Sequence, residues 1–186
     1  MIFNKMIQKA NIFDINISQQ KNYLKIPFPN LDYQKENHPY CGMSLKIAGS
    51  MRFRNAETNQ NRLDFFASLG IDINRLVQPE LSHSKEDYNC FRDDSHNLVF
   101  ESFLTNSFQQ KPVVGDGIIT KEKSLVPVIT VADCVPIWFY EPDSQVFGIV
   151  HSGWKGTGII ENALQFAEKK YKLGNPLLEL QKDREK

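Results

Sequence analysis

The stretch ADCVPIWFYEPDSQVFGIVHSGWKGTG, residues 132–158, decides the fold. Val135–Tyr140 and Val146–Val150 are rich in β-branched and aromatic residues, the composition of buried strands. Between them, Glu141-Pro142-Asp143-Ser144 has turn chemistry: proline presets a backbone angle and short polar side chains bond their own backbone. The two runs therefore read as an antiparallel hairpin. If its turn centres on Pro142-Asp143, Cys134 faces His151 across the strands, with Cβ atoms about 5 Å apart. A register slip stays open, because proline at this place favours a longer loop and Pro136 loosens the ladder near Cys134.

A thiol and an imidazole so placed suit two chemistries. One is a shared tetrahedral metal, zinc before others. The other is a nucleophilic Cys–His dyad. The plain alternative is a small buried cysteine beside a hydrogen-bonded strand-end histidine. Asp133 is either a partner orienting an imidazole or a solvated strand-end carboxylate.

After the hairpin, Gly153–Gly158 leads into a helix expected over Ile159–Tyr171, and amides at such a helix start attract phosphate. The run is no Walker A loop, because Trp154 stands where that loop requires lysine. Its other reading is a tight turn packing Trp154 into the core. Gly115-Asp116-Gly117 reads first of all as a turn.

Further upstream, Val126–Val131 reads as a buried strand, Leu98–Leu104 as another, and the charged segment Glu86–His96 as a surface loop. Ile71–Leu81 reads as a short loop and strand. Leu63, Phe66 and Leu69 recur at helical spacing, which predicts a helix from about Glu57 to Leu69. Asn55 or Thr58 would be its N-cap and Gly70 its C-terminal cap. In the polar, Asn/Gln-rich first forty residues, Ile12–Ile17 and Tyr23–Ile26 are short candidate strands. Strands with few helices imply one α+β domain over residues 1–186, a mostly antiparallel sheet sandwich with flanking helices.

The 186 residues carry 22 basic and 22 acidic side chains. That balance offers no general attraction to nucleic acid or an anionic membrane, so the expected partner is a small molecule. Cys41, Cys90 and Cys134 are an odd count without paired spacing, which argues against a disulfide framework and for a reducing, cytoplasmic setting. No run approaches the roughly 20 apolar residues of a membrane span. Oligomeric state is not legible.

Two motifs carry a resemblance to a known family. Ala132-Asp133-Cys134-Val135-Pro136-Ile137 and His151-Ser152-Gly153-Trp154-Lys155-Gly156-Thr157 closely resemble the YfiH-like family, also called multicopper polyphenol oxidoreductases (laccase-type) or purine nucleoside phosphorylases. Gly42-Met43-Ser44-Leu45, Asn61-Arg62 and Gly115–Thr120 resemble other segments of it, so the likeness runs from about Cys41 to Tyr171. The resemblance implies a fold related to the catalytic domain of cytotoxic necrotizing factor toxins. It also implies a zinc site at His83, Cys134 and His151, these same residues serving catalysis. His83 enters through the resemblance alone, and Pro79-Glu80-Leu81-Ser82-His83-Ser84 departs from the family's usual Gln-x-His-Gly. The implied activities are phosphorolysis of adenosine, inosine, guanosine and methylthioadenosine, with adenosine deamination; copper-dependent, laccase-like phenol oxidation is the alternative.

Three protein ligands leave a fourth position open for water or substrate. Arg62, Lys155 and Gly156 are candidate contacts for phosphate, and Arg62 reads equally as a solvated helix-face charge. The four histidines, His38, His83, His96 and His151, are few for several coppers. The sequence after Tyr171 departs from the family's continuation, so a shortened member is expected. A metal-binding remnant without turnover is a further reading.

Overall fold

The computed structural model describes residues 18–180 except 20–21, 30, 35–37, 56, 111, 155–157 and 175. The strand expected at Ile12–Ile17 and the phosphate contacts expected at Lys155 and Gly156 lie outside the described residues. In chain order the strands are β1 (Ser18–Gln19), β2 (Tyr23–Pro27), β3 (Tyr40–Ser44), β4 (Leu76–Val77), β5 (Asp87–Arg92) and β6 (Leu98–Ser102). They continue with β7 (Phe108–Gln109), β8 (Gly117–Thr120), β9 (Val126–Pro127), β10 (Val135–Glu141), β11 (Val146–Ser152) and β12 (Leu177–Leu180). The helices are α1 (Gln60–Ser68) and α2 (Ile159–Tyr171).

The hairpin β10–β11 anchors a sheet ordered β12-β10-β11-β8-β5-β6-β7, antiparallel except where β5 lies parallel to β8. A smaller antiparallel sheet, β1-β2-β3, and the parallel pair β4-β9 accompany it. The expected α+β sandwich is the observed one. Strand pleating explains the layers, because alternate residues face opposite sides. Ile137, Phe139 and Val150 pack with Ile159, Ala163, Leu164 and Ala167 of α2. Trp138, Tyr140 and Ile149 point the other way and pack on Ile26, Phe28 and Cys41 of the β2–β3 layer.

The register differs from the simplest reading. Val135 pairs with Ser152 and Pro136 with His151, so the loop is the four residues 142–145. Gln145 closes it with φ 60. Backbone N–H groups of Asp143 and Ser144 donate to the Glu141 carboxylate, which draws the turn beyond Pro142-Asp143. Cys134 therefore does not face His151 directly. It lies two residues before that histidine's partner, still on the same face, since only a one-residue slip would turn it over.

Three other expectations need correction. Asp87–Arg92 is an inner strand rather than part of a surface loop, with Asp87, Tyr88, Asn89 and Cys90 all buried. Only Val126–Pro127 of the expected strand Val126–Val131 joins a ladder, and the segment after it lines a cavity. Helix α1 starts at Gln60, because the Asn59 side chain accepts the Arg62 N–H and caps it. Gly70, at φ 67, ends it as expected, with N–H bonds from Gly70 to Ala67 O and from Ile71 to Phe66 O.

Asp87 is the exposed cost of running β5 through the interior. Neither carboxylate oxygen has a hydrogen-bond partner among the described residues. Burial first, then the nearby Asp116 and Glu86 charges, push its pKa well above the usual carboxylate value. A raised acid pKa makes folding less favourable as pH climbs above the unfolded value of 3.8. Asp87→Asn should accordingly raise the urea midpoint at pH 8, with the gain shrinking toward pH 4 as wild-type Asp87 protonates in both states. A gain that ignores pH would show that Asp87 is ionised in the fold.

Candidate metal centre

Asp116 enters the interior because two glycines flank it. A Cβ on Gly117 would lie 2.0 Å from an Asp87 oxygen and 2.7 Å from Val150, and one on Gly115 would lie 2.7 Å from the Tyr88 ring. The chain bends at Gly115 and Asp116, in keeping with the expected turn, and since neither glycine has a positive φ it is close packing that requires them. β8 is thereby squeezed between β5 and β11, and the carboxylate at its start is fully buried.

That carboxylate gathers two distant segments. Oδ1 accepts the His83 backbone N–H at 3.0 Å and meets His151 Nδ1 at 2.9 Å. Oδ2 accepts from Ser82 Oγ at 3.0 Å, Ser84 N at 2.6 Å and Ser84 Oγ at 2.8 Å. The His151 backbone N–H also donates to the Asp116 carbonyl at 2.7 Å. Burial pushes the Asp116 pKa up, but the bonds from His151, Ser84 and Ser82 outweigh it and hold the pKa down to about 2. The sign follows: this contribution to stability is present above the unfolded value of 3.8 and is lost as pH falls toward 2.

An ionised carboxylate only accepts, so His151 Nδ1 carries the proton and Nε2 is the nitrogen left for a metal. His83 reaches the same place from a loop, at φ 55, with its ring centroid 5.0 Å from that of His151. One ligand atom from each of His83, Cys134 and His151 lies within 4.8 Å of the others. A tetrahedral zinc with bonds of about 2.0–2.3 Å holds its ligands roughly 3.3–3.8 Å apart, so the group fits after an inward closure of about 1 Å. Burial is graded, with His151 buried, Cys134 half-buried and His83 exposed, which leaves one side open to solvent.

Gly153 keeps the centre clear. A Cβ there would lie 3.3 Å from His151 Cε1, 3.4 Å from Cys134 Sγ and 3.5 Å from His83 Nδ1. The neighbouring Trp154 is 96% exposed, so it does not pack into the core as one reading of the turn expected. Asp133 is exposed too, and the carboxylate that meets the imidazole is Asp116. Arg62 is not a solvated helix-face charge. It is buried, donates to Gln78 and lies over the rings of Phe53 and Phe66. Sequence reasoning missed the Asp116 hub and the two serines that share it. The signal available was the pair of glycines around one acidic residue ahead of an apolar strand.

A family model described as multi-copper polyphenol oxidoreductase laccase matches residues 36–176. The chain belongs to this family. The relatives are matched in part only. Purine nucleoside phosphorylase YlmD of Bacillus subtilis is 50% identical over 42 residues, covering 23% of this chain and 15% of the relative. Purine nucleoside phosphorylase RP494 of Rickettsia prowazekii is 43% identical over 70 residues, covering 36% and 29%. Adenosine deaminase RL5, from an unknown prokaryotic organism, is 26% identical over 102 residues, covering 52% and 34%. The crystal structure of YlmD from Geobacillus stearothermophilus shares the fold at TM-score 0.52 and 22% identity, over 65% of this chain and 44% of that one. YfiH of Bacillus licheniformis does so at TM-score 0.50 and 23% identity, over 65% and 45%. The chain thus spans less than half the length of these proteins.

Asp116→Asn should keep the shape of the hub and remove its charge, weakening zinc binding about 10- to 100-fold, as loss of a carboxylate behind a metal histidine does. Competition against a chromophoric chelator measures this. Unchanged affinity would mean that Asp116 does not orient His151 for a metal.

Proposed function

We propose that this family member is a zinc-dependent purine nucleoside phosphorylase, acting on adenosine, inosine, guanosine and methylthioadenosine, with adenosine deaminase activity. The observation that carries the reading is the group His83, Cys134 and His151 converging with one imidazole held by a buried carboxylate. Two imidazoles and one thiolate with an open side are the donor set of a catalytic rather than a closed structural zinc site. The names of the partly matched relatives support the same activities. Zinc, when bound, supplies Lewis acidity toward a substrate at the open side.

The chain's own residues would divide the remaining work. Asp116 fixes the His151 tautomer and ring plane, and Gly153 leaves space beside the ligands for substrate. Phosphate would be held by Lys155 and the Gly156 amide, with Arg62 a further anion contact in the adjoining cavity wall. In phosphorolysis an oxygen of phosphate bonds to C1′ of the ribose as the glycosidic bond breaks. The base leaves with the electron pair and takes a proton. Among the described residues no helix is long and apolar enough to cross a membrane. A cytoplasmic setting is part of the same proposal.

Zinc-loaded protein given inosine and phosphate should release hypoxanthine and ribose 1-phosphate, and adenosine should yield ammonia. Both activities should fall at least about 100-fold in Cys134→Ser, roughly the effect expected for losing a ligand of a catalytic metal. The copper alternative, favoured by the family's description, predicts phenol oxidation that disappears when copper is stripped. Stoichiometric zinc with neither nucleoside consumed would leave a metal-binding remnant and reject the enzyme reading.

A further inference from the structure

Arg62 presents a separate problem of charge. It is only 7% exposed, and among the described residues the one hydrogen bond of its guanidinium, to Gln78, goes to a neutral amide. Gln78 passes the chain on to Thr130 Oγ1 at 2.9 Å. Among the described residues no carboxylate pairs with the guanidinium, and burial alone accounts for its lowered pKa. A buried charge without a counter-charge is expensive. A guanidinium cannot escape that cost by giving up its proton at neutral pH.

This side chain lines a cavity of about 670 Å³ between α1, the β2–β3 layer and the hairpin. The volume falls in the usual range of small-molecule sites, roughly 300–1,000 Å³. Rings of Tyr23, Phe65 and Trp138 supply flat apolar wall, and among the described residues the charged side chains on its lining are Lys25, Arg62 and Lys123, with no aspartate or glutamate. His83, Cys134 and His151 are not among the lining residues. Pro136, the strand partner of His151, is among the lining residues.

We infer that this cavity binds a planar organic anion, an aromatic carboxylate or phosphate monoester, whose ring body lies on the aromatic wall and whose anionic group pairs with Arg62. The fork of the guanidinium suits the oxygens of either group, and the ligand supplies the counter-charge that the fold does not. The assignment does not depend on the metal site, since no ligand residue takes part.

The test uses 1-naphthyl phosphate against 1-naphthol, titrated calorimetrically into the full chain. The phosphate should bind at least tenfold tighter than the neutral alcohol. Arg62→Gln should erase that preference while leaving the naphthol affinity within about threefold. Cys134→Ser and chelator treatment should leave phosphate binding unchanged. Ile129→Trp, which adds bulk to the cavity lining, should abolish binding of both probes, and this arm decides the matter if Arg62→Gln does not fold. Equal affinity for the two probes overturns the proposal. So does binding that survives Ile129→Trp, or binding lost with Cys134→Ser, which would place the phosphate at the metal ligands instead. Arg62→Gln also touches the phosphate contact proposed above, so the readings are separated by Cys134→Ser: it should abolish nucleoside turnover and leave 1-naphthyl phosphate binding unchanged.

Discussion

The arrangement of the centre depends on one buried carboxylate. Asp116 accepts from Ser82, His83, Ser84 and His151, which ties a loop ahead of β5 to the end of β11. His83 sits in the left-handed region with an exposed side chain, and the His151 ring would otherwise choose its own tautomer. Burial opposes the charge, but the donors exceed that penalty, so the group stays ionised far below neutral pH. The interaction also requires space, and the glycines on both sides provide it by letting β8 approach its neighbours closely. The convergence of His83 and His151 is thus prepared by backbone packing first and by side-chain chemistry second.

How much of this was legible follows from what each pattern encodes. The hairpin was legible because strand composition and turn chemistry agree locally. Its register was not, because the Glu141 carboxylate recruits the N–H groups of Asp143 and Ser144 and moves the turn. The direct pairing of Cys134 with His151 was lost, but a two-residue shift kept both on one face. His83 lies on a loop, where no periodicity exists to place it, and only family likeness pointed to it. Asp116 was hidden by its glycines, which signal a turn in sequence and close approach in the fold.

The misreading of β5 has a similar origin. Charge in Glu86–His96 suggested solvent, yet β5 runs inside the sheet between β8 and β6, with Asp87, Tyr88, Asn89 and Cys90 all buried. Its polar side chains then had to find interior solutions. Asn89 finds the Tyr171 hydroxyl at 2.6 Å and Glu101 at 3.0 Å. Asp87 finds no partner among the described residues.

Asp87 and Arg62 pose the same electrostatic problem on opposite sides of the main sheet, and their chemistry dictates different answers. A carboxyl group can discard its charge by binding a proton, so Asp87 can remain buried as a neutral acid at a modest cost. A guanidinium has no comparable exit, because its proton stays bound even when burial lowers the pKa. Gln78 and the Phe53 and Phe66 rings soften the field around Arg62 but bring no negative charge. The remaining counter-charge must come from outside the described fold, and the cavity beside Arg62 is where it has room to enter. The same physics that lets Asp87 be silent therefore makes Arg62 a binding group.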